Sequence, residues 1–146
     1  MRVDEVMTRF PPTIRLGAEL RRAAELIGSS EVGQLMVLDH DGRFVGVLSE
    51  GDVVRAVLPG ADDVREAGSI AAAFAAFVAR GHELADREVD ALVITDAITL
   101  RPEDDLTAAA VVMADRRIRR LPVVEDGRLC GTVSRTDLCR AVLAHA

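Results

Sequence analysis

Apolar residues along this chain follow two periodicities in turn, and together these predict the elements. Runs at 35–38, 43–49, 121–124 and 128–134 have the length and aliphatic content of strands. Asp41-Gly42 and Asp126-Gly127 fit hairpin turns between the members of each pair. Short extended pieces at 13–15 and 99–101 lead into helical patterns at 18–29 and 104–115. In the latter, Leu106, Ala109, Ala110 and Met113 recur at three- and four-residue steps, the mark of one buried face. Glu103, Asp104 and Asp105 at its start and Arg116 and Arg117 at its end suit the helix dipole. Closing helices are predicted at 51–58 and 136–144.

The order strand, helix, strand, strand, helix occurs twice, and the residues repeat with it. A shift of 86 lays Thr13-Ile14-Arg15 on Thr99-Leu100-Arg101, Leu20 on Leu106, Ala23-Ala24 on Ala109-Ala110, and Leu35 and Val37 on Leu121 and Val123. One residue is dropped in the turn. At a shift of 85, Gly46, Ser49 and Asp52 fall on Gly131, Ser134 and Asp137. Arg55-Ala56-Val57-Leu58 then returns unchanged as Arg140-Ala141-Val142-Leu143. This is an internal duplication. A small sheet with helices on one side leaves its other face bare, so two copies packed sheet to sheet about a pseudo-two-fold axis are expected. The predicted fold is α/β (α+β): a first repeat at 1–58, a helical insertion at 59–88 and a second repeat at 89–146, the repeats forming one globular pair.

Pro59-Gly60 ends the first repeat. A helix follows at 69–84, with Ile70, Phe74, Phe77 and Val78 on one side, and it should dock on the body or on a partner.

Composition narrows the function. Apolar residues make up 49% of 146, enough for a core, and without Trp or Tyr that core must be aliphatic, helped by Phe10, Phe44, Phe74 and Phe77. The net charge of -6 argues against a general nucleic-acid binder, which needs a basic face to neutralise phosphates. A local Arg cluster can still receive a small anion. No stretch reaches the roughly 20 apolar residues that span a bilayer, and Met1-Arg2-Val3-Asp4 opens no signal-like run, so a cytoplasmic protein without membrane attachment is expected. Cys130 and Cys139 make no metal or disulfide pattern and read as small packing residues. His40, His82 and His145 are spaced neither as ligands nor beside a nucleophile, so neither a metal site nor a catalytic residue is expected.

The chemistry sits where each second hairpin strand enters its closing helix. Gly46-Val47-Leu48-Ser49-Glu50-Gly51-Asp52 matches Gly131-Thr132-Val133-Ser134-Arg135-Thr136-Asp137. Ser-x-x-Asp at a helix start resembles a capping box that satisfies free backbone N–H groups. A carboxylate at the same place can also accept hydrogen bonds from the two hydroxyls of a ribose, while the helix N-terminus and nearby Arg receive phosphate. Both readings stand on the residues alone.

The pattern Gly-x-hydrophobic-Ser-x-x-Asp, preceded by Leu121-Pro122-Val123-Val124 and by Thr-hydrophobic at the first strand, resembles the CBS domain over about 3–58 and 89–144. The resemblance implies a regulatory module, not an enzyme, that requires no cofactor and binds AMP, ADP, ATP, NAD or S-adenosylmethionine between its repeats. It implies a homodimer, a flat disk of four domains, and an effector protein as receiver. Asp137 and Ser134 would hold the ribose, with Arg135, Thr136, Arg119 and Arg120 near phosphate. Thr99, Pro122 and Val123 would line an adenine slot. Asp52, Ser49, Thr13 and Val37 would form a second, weaker site, because Gly33-Gln34 replaces Arg119-Arg120 and Glu50 replaces Arg135. The alternative function is a ligand-free interaction module in which the Asp residues are only caps.

Overall fold

The computed structural model describes residues 1–144, which places His145 outside the described residues. In the first repeat β1 (Thr13–Arg15), α2 (Leu20–Ser30), β2 (Gln34–Leu38), β3 (Phe44–Ser49) and α3 (Glu50–Val57) follow the short helix α1 (Val3–Val6). The insertion holds α4 (Ala61–Glu66) and α5 (Ile70–Ala85). A 3₁₀ turn at Val89–Leu92 leads to α6 (Leu106–Arg116), β4 (Arg120–Glu125), β5 (Arg128–Ser134) and α7 (Arg135–Ala144).

Strand β1 runs parallel to β2, and β2 is antiparallel to β3. Strand β4 is antiparallel to β5, with a register shift at Val123/Val124 that matches the one at Val37/Leu38. The extended piece expected at 99–101 is only a single parallel bridge, Leu100 to Val123. Pro102 explains the difference. In the first repeat the amide of Leu16 donates to the carbonyl of Leu38 at 2.9 Å. The equivalent residue in the second repeat is Pro102, which has no N–H to extend the pairing.

Each repeat has its own aliphatic core. Ile14, Leu20, Ala23, Leu35, Val37 and Leu48 form one, and Leu100, Leu106, Ala109, Met113, Leu121, Val123, Val133 and Ala141 form the other. On the opposite strand faces Met36, Val47, Pro122 and Thr132 are buried as well, so both faces of each sheet are covered. The hairpin tips meet across the pair, where the Phe44 amide donates to the Gly127 carbonyl at 2.9 Å. The phenylalanines stay out of both cores: Phe10 and Phe74 are exposed, and Phe44 and Phe77 are half-buried.

The repeats also exchange their leading segments. Val3, at the start of the chain, is fully buried in the core of the second repeat, and Val89, its counterpart, is fully buried in the core of the first. The amide of Val3 donates to the carbonyl of Asp104 at 2.9 Å, as that of Val89 does to Ala18 at 2.8 Å. Farther along, Thr8 bridges Thr132 on β5, and Ile94 bridges Val47 on β3. Each strap thus adds a short antiparallel edge to the other repeat's sheet.

Helix α5 packs on α2 and α3. Of the four residues expected to dock on the body or on a partner, Phe77 is half-buried against the body, with Ala72, Ala73, Gly81, Leu84 and Ala85, while Ile70, Phe74 and Val78 stay exposed.

Candidate functional site

The closing helix of each repeat begins with the same three side chains. In the first repeat the Ser49 hydroxyl accepts from the Asp52 amide at 3.1 Å and donates to the Asp52 carboxylate at 2.6 Å. Arg55, one turn on, pairs with the other carboxylate oxygen. In the second repeat the Ser134 hydroxyl accepts from the Asp137 amide at 3.1 Å and donates to its carboxylate at 2.8 Å, and Arg140 pairs with Asp137 at 2.6 Å. The helix cap predicted from Ser-x-x-Asp is therefore made twice, each time with an Arg three residues later on the same helix face.

The surroundings of the two carboxylates differ. Asp137 is buried, accepts also from the Ser134 amide at 2.8 Å, and is overlain by the Thr8 hydroxyl at 3.4 and 3.5 Å from its two oxygens. Ile94 holds the place of Thr8 in the first repeat and offers no hydroxyl, so Asp52 keeps a side chain 20% exposed. The hydrogen bond from Ser49 holds the Asp52 carboxyl below the usual carboxylate range; burial opposes it, and the Arg55 guanidinium adds to the lowering.

A cleft of about 1000 Å³ lies between the repeats, a volume at the upper end of small-molecule sites. One wall comes from the first repeat, with Glu31, Ser49, Glu50, Gly51, Asp52 and Arg55; the other carries Arg119, Arg120, Ser134, Arg135 and Thr136. The walls are therefore of opposite character, acidic on one side and basic on the other. Arg135 is fixed by donating to the carbonyls of Ile118 at 3.1 Å and Met113 at 3.5 Å, beside the C-terminal end of α6. Arg120 donates to the Thr132 hydroxyl at 3.0 Å. Arg119 makes no side-chain hydrogen bond or ion pair among the described residues. A guanidinium has five N–H donors, so each of the three keeps donors free for an anion.

Of the residues singled out from sequence, Ser49, Asp52, Arg119, Arg120, Ser134, Arg135 and Thr136 meet at this cleft. Asp137 does not line it, for the reasons just given. The slot expected from Thr99, Pro122, Val123, Thr13 and Val37 is not formed by side chains on its walls. Pro122, Val123 and Val37 lie on the middle strands, which are covered on both faces, and Thr13 and Thr99 are exposed elsewhere. Arg55, Glu31 and Ile94 line the cleft and were not singled out. For Arg55 the signal was present, since the Asp-to-Arg spacing repeats with the rest of the motif. Cys139, expected to pack, is exposed on α7, and Cys130 is half-buried. Among the described residues no helix is long and apolar enough to cross a membrane, and no three His, Cys, Asp or Glu side chains converge as a metal-binding group.

Comparison with known proteins agrees with this architecture. The family model of the CBS domain matches the chain twice, at residues 3–59 and 88–144. The structure is similar to that of CBSX2 in complex with AMP, with a TM-score of 0.76 and 24% identity, covering 99% of this chain and 97% of that one. It is similar also to the CBS domain pair of protein MJ0100 in complex with 5-methylthioadenosine and S-adenosylmethionine, with a TM-score of 0.71, 18% identity, and 100% and 98% coverage. The homoserine O-acetyltransferase of Methanocorpusculum labreanum is 28% identical over 126 residues, which is 86% of this chain but only 21% of that enzyme. The chain thus spans about a fifth of the length of that curated relative. With both repeats matched by one domain model, the chain belongs to the CBS-domain family, as a tandem pair.

Proposed function

We propose that the pair is a regulatory module that binds an adenosine nucleotide across the cleft between its repeats. The observation that carries the reading is the cleft's polarity: the Asp52 carboxylate faces it from one wall and Arg119, Arg120 and Arg135 from the other. The ribose hydroxyls donate to Asp52, which one ion pair leaves with free lone pairs. The phosphates lie on the arginine wall, away from Glu50 and Glu31, where charge-assisted hydrogen bonds replace repulsion. Asp137 serves as a helix cap and takes a ligand only if Arg140 and Thr8 release it. The AMP, 5-methylthioadenosine and S-adenosylmethionine found on similar folds support an adenosyl group as the shared element. A ligand touching both walls shifts the angle between the repeats to the extent that it binds the two angles with different affinity, and an effector reads that angle.

The test is thermal unfolding with AMP, ADP, ATP, NAD and S-adenosylmethionine, on the parent and on Asp52→Asn, Asp137→Asn and Arg119→Ala. A ligand at about 100 times its dissociation constant adds roughly 2.7 kcal/mol, or about 5–10 °C at this size. The shift is expected with a phosphorylated compound, lost in Asp52→Asn, weakened in Arg119→Ala and kept in Asp137→Asn. A shift lost only in Asp137→Asn would move the ribose to the second repeat. No shift with any compound would leave the pair as a ligand-free interaction module.

A further inference from the structure

The cleft does not account for all the arginines at the end of α6. Arg116, Arg117, Arg119 and Arg120 fill four of five consecutive positions. Arg135 joins them from α7, because its amide donates to the Arg119 carbonyl at 3.0 Å and its Nε to the Ile118 carbonyl at 3.1 Å. All but Arg120 are exposed. Elsewhere in this acidic chain arginines find carboxylates, as in Arg21–Asp86, Arg55–Asp52 and Arg140–Asp137. Here Arg116, Arg117 and Arg119 make no side-chain hydrogen bond or ion pair among the described residues, and neighbouring Asp115 pairs with none of them.

The helix dipole alone does not explain the patch. Cations suit a helix C-terminus, but the sister positions are Ser30, Glu31, Gly33, Gln34 and Glu50, two negative charges where the second repeat has five positive ones. Both helices end on a left-handed residue, Glu31 and Arg117, each at φ 55°. The same backbone forms with either sign. The positive charge is therefore a property of the second repeat's surface and not a requirement of the fold.

Arg116 and Arg117 stand outside the cleft, so a phosphate held there leaves both free. Five guanidinium groups gathered at one edge create a local field that the net charge of -6 does not cancel at short range. Guanidinium forks bind carboxylates through paired N–H···O bonds. Nucleic acid fits this edge less well. The second repeat has no Phe, Tyr or Trp on which a base could stack, and Glu31 and Glu50 on the facing wall of the cleft repel a phosphodiester chain that continues across it. We propose that this patch, with Arg116 and Arg117 at its outer edge, is the docking surface for a carboxylate-rich segment of a partner protein. Neither of these two arginines belongs to the nucleotide site, so docking and nucleotide binding can fail separately.

The experiment is fluorescence anisotropy of a labelled hexaglutamate peptide titrated with the purified chain at low ionic strength, with an oligothymidylate of equal charge as the rival class. The peptide is expected to bind, and to be released at about 1 M salt, where charges are screened beyond roughly 3 Å. The double variant Arg116→Ser, Arg117→Ser should weaken it about 10-fold. Arg21→Ser, Arg22→Ser removes the same charge from α2 of the first repeat and should leave binding unchanged. Circular dichroism should report an unchanged fold in both variants. Absence of peptide binding overturns the proposal. So does an equal effect, or none, in the two double variants, which would make net charge the cause. Tighter binding of the oligothymidylate also overturns it, by making the patch a nucleic-acid surface.

Discussion

The two repeats carry the same Ser, Asp and Arg at the start of their closing helices, and the two carboxylates nevertheless sit in different surroundings. Asp52 lines the cleft, whereas Asp137 is 4% exposed and surrounded by donors. Within the second triad the Ser134 amide also donates to Asp137, at 2.8 Å. The strap from the other repeat adds to the cover: Thr8 lies over Asp137, and Ile94 has no hydroxyl to offer Asp52. In a duplicated fold, therefore, a site is defined as much by what the sister copy lends as by its own motif.

The strap itself is the most sensitive point of comparison. A methyl group at Gly46 would overlap the Ile94 carbonyl oxygen, and one at Gly131 would come within 2.6 Å of the Thr8 carbonyl oxygen and 3.1 Å of the Met7 sulfur. Both obstacles include backbone, which cannot swing aside. Gly46→Ala should cost about 4 kcal/mol in urea unfolding and Gly131→Ala, the shallower overlap, about 2. Equal and small losses would mean that the straps are loosely held.

Next in size is the contrast between the carboxylates. At pH 7, Asp137→Ala should lose about 3 kcal/mol and Asp52→Ala about 1, since the first strips a buried set of donors and the second a partly solvated one. The Asp52 contribution has a defined acid limit. Its folded pKa lies below the unfolded value of about 3.9 because of Ser49 and Arg55. The stabilisation is therefore complete above that value and is lost as pH falls through the folded pKa. Unfolding curves of parent and Asp52→Asn should converge as pH falls through the folded pKa, and a gap that persists in stronger acid would assign the effect to something other than ionisation.

The smallest effect is expected from Thr8→Val. Its hydrogen bonds to Asp137 are long, 3.4 and 3.5 Å, so stability should change by no more than about 0.5 kcal/mol. A loss several times larger would make the hydroxyl, rather than burial, the reason that Asp137 is sealed.

Much of this was legible in the residues. Alternation and the Asp-Gly turns located the hairpins, and the duplicated register singles out Ser49, Asp52, Ser134, Arg135 and Thr136 together. Local patterns could not show which segment completes each sheet. The strap pairs through isolated bridges with a partner more than a hundred residues away at Thr8, and no periodicity encodes such a contact. For the same reason no local pattern shows that Asp137 is covered, since the hydroxyl over it lies 129 residues earlier in the chain. The Leu-Pro-Val-Val run read as a ligand wall because a strand's sequence does not say whether one face is covered or both. In α5 the apolar side was identified correctly, but two sides of that helix are apolar, and spacing alone does not say which one the body takes.

The exchanged straps carry a consequence for ancestry. A chain with a single repeat has no sister from which to receive Val3 or Val89, and its core closes only with the leading segment of another molecule. Two such chains would trade segments reciprocally, a domain-swapped homodimer. Joining their genes head to tail, with the stretch now holding α4 and α5 as the tether, turns that intermolecular trade into the internal one seen in this protein. A single chain holding both repeats can have what no homodimer of identical halves can, two straps free to differ, and Thr8 and Ile94 mark where these two do.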